Sequence, residues 1–198
     1  MRKELLIWLE AFLSAIPGQV GLSIRSAWYT RRCAGPGRCR VGRGVEVVAP
    51  GSIHLDGGEV RLGDRCYVNA EGGSITLGDQ VAFNIGCHIN ASVGGRISVG
   101  ANSMFGPSVL MRTANHRFDS TDEPMREQGH AEADIIIEED VWVGGHAVVL
   151  GGVRIGRGSV VGAGAVVTKS LDPWSVAVGV PARVIRTRRP TGSDRAGR

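Results

Sequence analysis

One histidine stands out as a side chain that could carry out chemistry. His116 follows Asn115 at the point where a regular apolar pattern stops, and residues 117–134 are then mostly polar and charged. An imidazole with a pKa of about 6.5 is suited to removing a proton near neutral pH. A histidine at the base of a loop can equally anchor that loop, so its position alone leaves catalysis and anchoring as equal alternatives.

The element that must position this histidine is a six-residue repeat. Steps of six from Ile137 meet only aliphatic residues, which are Val143, Val149, Ile155, Val161 and Val167. Glycine often follows the aliphatic residue directly, and a small or β-branched residue returns four positions after it. The same frame occurs earlier in the chain, with starts at Leu62, Leu77 and Val99.

A period of six fits neither a helix nor a single alternating strand. It fits a chain that turns a corner every six residues, with β-branched strands and with glycine in turns of positive φ. The inward aliphatic residues would stack from coil to coil and form a column of medium and small side chains. Such a column accounts for 30 glycines and an aromatic content of only 5%. The repeat therefore predicts an all-β solenoid, and the alternative is a β-sandwich with chance register.

The repeat resembles that of the hexapeptide-repeat acyltransferases. The likeness to the maltose, galactoside and xenobiotic acetyltransferase branch rests on residues 115–119, the loop after them, and residues 141–144, 161–169 and 179–183. It extends over roughly residues 60–187. The resemblance implies a left-handed parallel β-helix of triangular section, with an N-terminal helical cap and one protruding loop.

The resemblance also implies roles for three side chains. His116 would be the general base that takes a proton from an acceptor hydroxyl while the oxygen attacks the thioester of acetyl-CoA, without an acyl-enzyme. Asn84 would contact the acceptor, and its alternative is a turn or ladder asparagine. Trp142 would lie near the acetyl-CoA arm, and its alternative is a large residue at a corner or subunit contact.

Coenzyme A is a long anionic ligand, and a basic C-terminal coil suits it electrostatically. The residues that the resemblance assigns to it are Gly145, Ala163, Thr168, Lys169, Arg183 and Arg186. The first two would offer backbone groups to the pantetheine arm, the next two would lie near the adenine, and the arginines near the phosphates. A solvated basic tail is the alternative for the arginines.

The two ends of the chain depart from the repeat. Residues 1–34 are predicted to be a helical cap, because Leu5, Leu9 and Leu13 fall at helical spacing. The alternative is peripheral contact with a membrane through residues 2–16. Residues 35–187 are assigned to the β-helix domain, with the loop at 117–134, and residues 188–198 to a disordered basic tail.

Composition and charge exclude several classes. The net charge is +4, with the excess at the two ends, and the middle lacks the basic face that nucleic-acid binding requires. No apolar run reaches the ~18 residues of a membrane span. The four cysteines form no matched CxxC pairs, so no metal site is expected. Cys66 and Cys87 occupy small-residue positions of the repeat, which indicates buried thiols in a reducing compartment.

These observations predict an acetyl-CoA-dependent O-acetyltransferase acting on a sugar or glycan, such as a cell-envelope polysaccharide or its precursor. The expected location is cytoplasmic, including the inner face of the membrane. The enzymatic alternatives are an N-acetyltransferase of a nucleotide-linked amino sugar and an antibiotic acetyltransferase. The non-enzymatic alternative is a β-helix assembly subunit without catalytic activity. The resemblance further implies a homotrimer, with His116 of one subunit close to Trp142 of a neighbour.

Overall fold

The computed structural model describes residues 2–188. Two helices, α1 (Arg2–Ala15) and α2 (Gly18–Arg32), precede the strands. Pro17 between them has an extended backbone, with φ −80° and ψ 171°, which ends one helix and starts the next. Of the predicted basic tail, only Arg188 lies within the described residues, and its backbone N–H donates to the Trp174 carbonyl at 2.6 Å.

Short strands joined by tight turns make up the rest of the chain. The first seven are β1 (Arg38–Val41), β2 (Glu46–Val48), β3 (Ile53–Leu55), β4 (Glu59–Leu62), β5 (Tyr67–Asn69), β6 (Ser74–Leu77) and β7 (Ala82–Phe83). The next seven are β8 (His88–Asn90), β9 (Arg96–Val99), β10 (Met104–Phe105), β11 (Leu110–Arg112), β12 (Ala114–His116), β13 (His130–Glu132) and β14 (Ile135–Ile137). The last seven are β15 (Trp142–Val143), β16 (Val148–Leu150), β17 (Arg154–Ile155), β18 (Val160–Val161), β19 (Val166–Val167), β20 (Ser175–Val178) and β21 (Arg183–Thr187).

Three sheets form the sides of a solenoid. The eight-stranded face has the order β1-β4-β7-β10-β15-β18-β20-β21, the six-stranded face β19-β16-β11-β8-β5-β2, and the five-stranded face β17-β14-β9-β6-β3. Each strand of these faces pairs in parallel with the strand one coil away, except that β20 and β21 are antiparallel. The predicted parallel β-solenoid with helices at its N-terminus is confirmed, and the β-sandwich alternative is wrong.

The interior is the column of side chains that the six-residue repeat predicts. The aliphatic residues of the frame, Ile137, Val143, Val149, Ile155, Val161 and Val167, are all fully buried. The larger Phe83 and Phe105 fill successive coils with ring centroids 4.4 Å apart. Burial of these side chains between coils is the main stabilising term, since no coil can bury its inner face alone.

Glycine has a role in the turns that the sequence did not reveal. Positive φ occurs at Gly164 (69°), as expected for a turn glycine, but also at His146 (59°). The glycines directly after the aliphatic residue, such as Gly106 and Gly144, do not have positive φ, so that expectation is wrong for them. They are required because another coil lies too close for a side chain. A Cβ at Gly106 would lie 2.4 Å from the Gly145 nitrogen, and one at Gly144 would lie 2.5 Å from the Ala163 nitrogen. Successive coils therefore touch backbone to backbone along this edge.

The two helices are joined to the first coil by a buried arginine. Arg25 on α2 is 3% exposed, and its guanidinium donates to the carbonyl oxygens of Val41 (3.2 Å), Leu13 (3.1 Å) and Ile16 (2.8 Å). Tyr29 of the same helix enters the hydrophobic core. Helix α2 thus lies against β1, and Arg25 joins it to the end of α1. A helical cap was predicted at this end of the chain.

The outer surface of α1 is apolar. Its exposed large side chains are Leu5, Ile7, Trp8, Leu9 and Phe12. Neither helix within residues 2–188 combines the length and the apolar character needed to cross a bilayer.

Candidate active site

The loop that interrupts the repeat leaves the solenoid as a hairpin. Strands β12 and β13 pair antiparallel, with His116 directly opposite His130. They emerge between β11 of the six-stranded face and β14 of the five-stranded face. We call this corner, formed by residues 70–73, 91–95, 113–134, 151–152 and 168–170, the hairpin edge.

His116 is exposed on this hairpin and its nearest ring is another imidazole. The ring centroids of His116 and His130 lie 4.3 Å apart, with an angle of 38° between the planes. An exposed imidazole packed on one side is accessible to a substrate while its orientation is restricted.

The tip of the hairpin is held by one amide side chain. The Gln128 Oε1 accepts from the Ser120 backbone N–H at 3.1 Å, and its Nε2 donates to the carbonyls of Ser120 (2.9 Å) and Glu123 (3.0 Å). The Arg117 Nε donates to the His130 carbonyl at 3.1 Å. The loop therefore has a defined conformation although most of its side chains are exposed.

A long groove lies on the eight-stranded face. It has a volume of about 540 Å³ and is lined by Arg40, Arg61, Asn84, Met104 and Trp142, with Leu22 of α2 at one end. We call it the Trp142 groove. Met104 and Trp142 are in register on neighbouring strands and each is 53% exposed. The structure thus brings together the two residues, Asn84 and Trp142, that the sequence assigned to the substrates.

A second cavity adjoins this groove at Trp142. Its volume is about 540 Å³, and Trp142, Val160, Arg186 and Arg188 contribute to its lining. Arg186 reaches it from β21, which folds back along the end of the eight-stranded face. Arg183 lies three residues earlier on the same strand, exposed, with its guanidinium donating to the Ala182 carbonyl at 3.0 Å.

The remaining predicted cofactor residues divide between two edges. Gly145 and Ala163 lie where the eight-stranded face turns into the six-stranded face, in successive coils, and the Gly145 carbonyl accepts from the Gly164 N–H at 2.9 Å. Thr168 and Lys169 are exposed on the hairpin edge, two coils beyond the hairpin.

Within residues 2–188, the two cavities that Trp142 lines do not include His116. The hairpin edge is the one corner of the three-sided solenoid that the eight-stranded face does not border. Residues of the groove and the histidine therefore lie on opposite sides of a single coil stack.

Sequence reasoning missed His130 and the pair Arg40 and Arg61. The arginines occupy the outward position just before an inward apolar residue, as do Ala82, Met104 and Trp142 in later coils. Successive members of this row are 21, 21, 22 and 38 residues apart, so the six-residue frame alone does not align them. His130 carried no signal either, because only the hairpin register places it opposite His116.

Within residues 2–188, the groups whose pKa is shifted lie outside the hairpin and the Trp142 groove. Burial, with a contribution from Arg112, lowers the pKa of His88 on the six-stranded face. A hydrogen bond with the Cys87 thiol, together with burial, raises the pKa of the Cys66 thiol. Both cysteines are buried in the core, as the repeat position indicated. The raised pKa keeps the Cys66 thiol protonated, whereas the same hydrogen bond lowers the pKa of the Cys87 thiol.

A comparison of sequences relates part of this chain to one family of transferases. The sequence profile of the bacterial transferase hexapeptide family, which describes six repeats, matches residues 134–169. The predicted relationship to the hexapeptide-repeat acyltransferases is confirmed.

Two of the curated relatives are galactoside O-acetyltransferases. The galactoside O-acetyltransferase of Lactococcus lactis is 36% identical over 130 residues, which are 63% of this chain and 61% of that protein. That of Escherichia coli is 40% identical over 91 residues, 46% of this chain and 43% of that protein. The chain spans about half the length of the curated relatives it matches.

Solved structures share the fold. A maltose O-acetyltransferase from Clostridium difficile superposes with a TM-score of 0.64 at 26% identity, over 91% of this chain and 83% of that chain. AntD, an N-acyltransferase from Bacillus cereus solved with dTDP-4-amino-4,6-dideoxyglucose and coenzyme A, superposes with a TM-score of 0.70. Its identity is 23%, over 83% of this chain and 89% of that chain, so this likeness concerns the fold alone.

Proposed function

We propose that this chain is an acetyl-CoA-dependent O-acetyltransferase that modifies a hydroxyl of a sugar or glycan. The observation that carries the proposal is an exposed imidazole, His116, held on a hairpin that interrupts a hexapeptide-repeat solenoid. Relatives named as galactoside and maltose O-acetyltransferases support the class of reaction and of acceptor. A cell-envelope polysaccharide or its precursor, modified in the cytoplasm, is the proposed context.

In the proposed reaction, His116 acts as the general base. Its neutral imidazole takes the proton of the acceptor hydroxyl while that oxygen attacks the carbonyl carbon of the thioester. The carbon–sulfur bond then breaks, and the imidazolium returns the proton to the departing coenzyme A thiolate. The acetyl group passes directly to the acceptor, so none of the buried thiols takes part.

Acetyl-CoA would bind beside Trp142. Arg186 shares a cavity with Trp142 and supplies a cation for a phosphate, and Gly145 and Ala163 line the adjacent edge with backbone groups. Thr168 and Lys169 lie on the hairpin edge, so they would contact the coenzyme bound by a neighbouring chain. Arg183 is exposed on β21 and would reach the phosphates from the end of the coil stack.

The separation of His116 from Trp142 supports a site shared between subunits, as in the proposed homotrimer. Mixed oligomers test this arrangement. His116→Ala and Trp142→Ala chains, each weakly active alone, should regain activity when they are dissociated and reassembled together, because one interface then holds both native side chains. Absence of any recovery in mixed oligomers, or a fully active monomer by light scattering, would contradict a shared site.

Thiol release from acetyl-CoA with a panel of sugars tests the activity itself. Replacing His116 by Ala should lower turnover by ~10²–10⁴, the usual contribution of a general base. His146→Asn is the matched control, because His146 is exposed in another turn and asparagine tolerates its positive φ. Unchanged turnover in His116→Ala would remove this residue from the mechanism, and amine-bearing sugars in the panel separate N-acetylation from O-acetylation.

The apolar outer surface of α1 suits peripheral contact with a membrane. Leu5, Trp8 and Phe12 are exposed on this helix, and Arg2 and Lys3 precede them in the sequence. The protein should sediment with vesicles containing phosphatidylglycerol, and a Trp8→Ser, Phe12→Ser variant should not. Equal sedimentation of the two proteins would exclude this contact.

A further inference from the structure

Two arginines stand side by side in the Trp142 groove. Arg40 on β1 and Arg61 on β4 are register partners on neighbouring parallel strands. Both side chains are exposed on the eight-stranded face, and both line the groove. Like charges directly opposite each other destabilise a sheet, so this pair does not contribute to the stability of the fold.

The charges around this pair are not balanced by carboxylates. Within residues 2–188, Arg40 has no ion pair, and the Arg61 Nε contacts the Glu59 Oε1 at 3.0 Å. A further cavity of about 550 Å³ between α2 and β1 includes Arg40 again, together with Arg31, Arg38 and Glu59. Four arginines thus surround one glutamate at this end of the groove, and the local field attracts an anion.

The groove has a defined direction. Leu22 of α2 closes the arginine end, and Trp142 lies at the other end. Between β1 and β15 the face has four strand spacings, which is about 19 Å. Asn84 follows β7 and lies between the two ends.

We propose that Arg40 and Arg61 bind a phosphate or diphosphate carried by the acceptor. The acceptor is then a phosphorylated sugar, such as a sugar phosphate or a diphosphate-linked sugar, whose ring lies near Asn84 and whose reacting group points towards Trp142. Guanidinium groups match phosphate oxygens in charge and in planar two-point geometry. The identity of the ligand as the acceptor rests on the proposed acetyl transfer. The anion site itself does not depend on that reaction.

Calorimetric titration with inorganic pyrophosphate tests the anion site without turnover. The wild-type protein should bind pyrophosphate, and an Arg40→Gln, Arg61→Gln variant should bind it at least tenfold more weakly. Arg96→Gln is the matched control, because Arg96 is an outward strand arginine on the five-stranded face, 73% exposed. Glutamine keeps much of the side-chain length, and thermal unfolding checks that each variant is folded.

A second titration, with coenzyme A, identifies which phosphate the arginines hold. If they bind the acceptor, coenzyme A affinity should change less than twofold in the double variant. A parallel tenfold loss of coenzyme A affinity would overturn the assignment to the acceptor. Pyrophosphate affinity equal in wild type and double variant would overturn the anion site. Failure of acetyl transfer with intact, arginine-dependent pyrophosphate binding would reject the proposed reaction and leave the site standing.

Discussion

The imidazole of His116 packs against that of His130 across the hairpin, with ring centroids 4.3 Å apart. An isolated two-stranded hairpin is marginally stable in water, so its side chains need local contacts to keep one orientation. The ring pair and the Gln128 hydrogen bonds provide those contacts at the hairpin edge. His130 is therefore a positioning residue for the proposed base.

Removing the His130 ring should disorder the His116 ring without touching the coenzyme site. We expect His130→Ala to lower kcat by about tenfold, the effect of ~1.4 kcal/mol, with little change in KM for acetyl-CoA. His130→Phe keeps an aromatic surface and should recover most of the loss. A Phe variant as slow as the Ala variant would show that the imidazole itself, and not packing, is required.

The hydrogen bonds of the Gln128 side chain should control the mobility of the loop. Gln128→Ala removes three hydrogen bonds to loop backbone, and trypsin should then cleave after the exposed Arg126 several-fold faster. Thr121→Ala, at an exposed position of the same loop, should leave the cleavage rate unchanged. The solenoid should keep its thermal midpoint in both variants, because the loop lies outside the core. Equal cleavage of the two variants would mean that Gln128 does not hold the loop.

The backbone contact at Gly144 should tolerate no side chain. A Cβ there would meet the Ala163 nitrogen at 2.5 Å, so Gly144→Ala should lower the free energy of unfolding by ~1–3 kcal/mol, as overpacking does. Gly51→Ala is the control, because nothing lies within 4 Å of its added Cβ. Denaturant titration gives both values. A loss of equal size at Gly51 would show that contact between coils is not the cause of the loss at Gly144.

His88 should make the fold sensitive to acid. Burial, followed by the nearby Arg112, lowers its pKa in the folded state below the ordinary 6.5, so the unfolded chain binds the proton more readily. Its contribution to stability is complete above pH 6.5 and is lost as the pH falls through the lower, folded-state pKa.

Thermal midpoints at pH 8 and pH 5 measure this effect. The drop between the two should be smaller in His88→Gln than in wild type, even though the variant loses the ring stacked on Tyr67 at 4.7 Å. His146→Asn should retain the wild-type drop. A His88→Gln variant with an undiminished drop would assign the acid sensitivity to other groups.

The six-residue period by itself determined the solenoid, the buried column from Ile137 to Val167 and the point at which the loop leaves. It could do so because a side chain that stacks on the next coil must be apolar, and this requirement returns every six residues in the sequence. Asn84 and Trp142 were assigned through a family resemblance, and the structure places both in one groove.

Only the tertiary structure decided which distant residues are neighbours. The coil register sets Arg40 beside Arg61, the hairpin register sets His116 against His130, and the three-sided section separates His116 from Trp142. The two pairings join residues 21 and 14 positions apart in sequence. Outward side chains are under no packing constraint that would reveal such pairings in the sequence. The same geometry decided that glycine after the aliphatic residue is required by contact between coils rather than by its backbone angle.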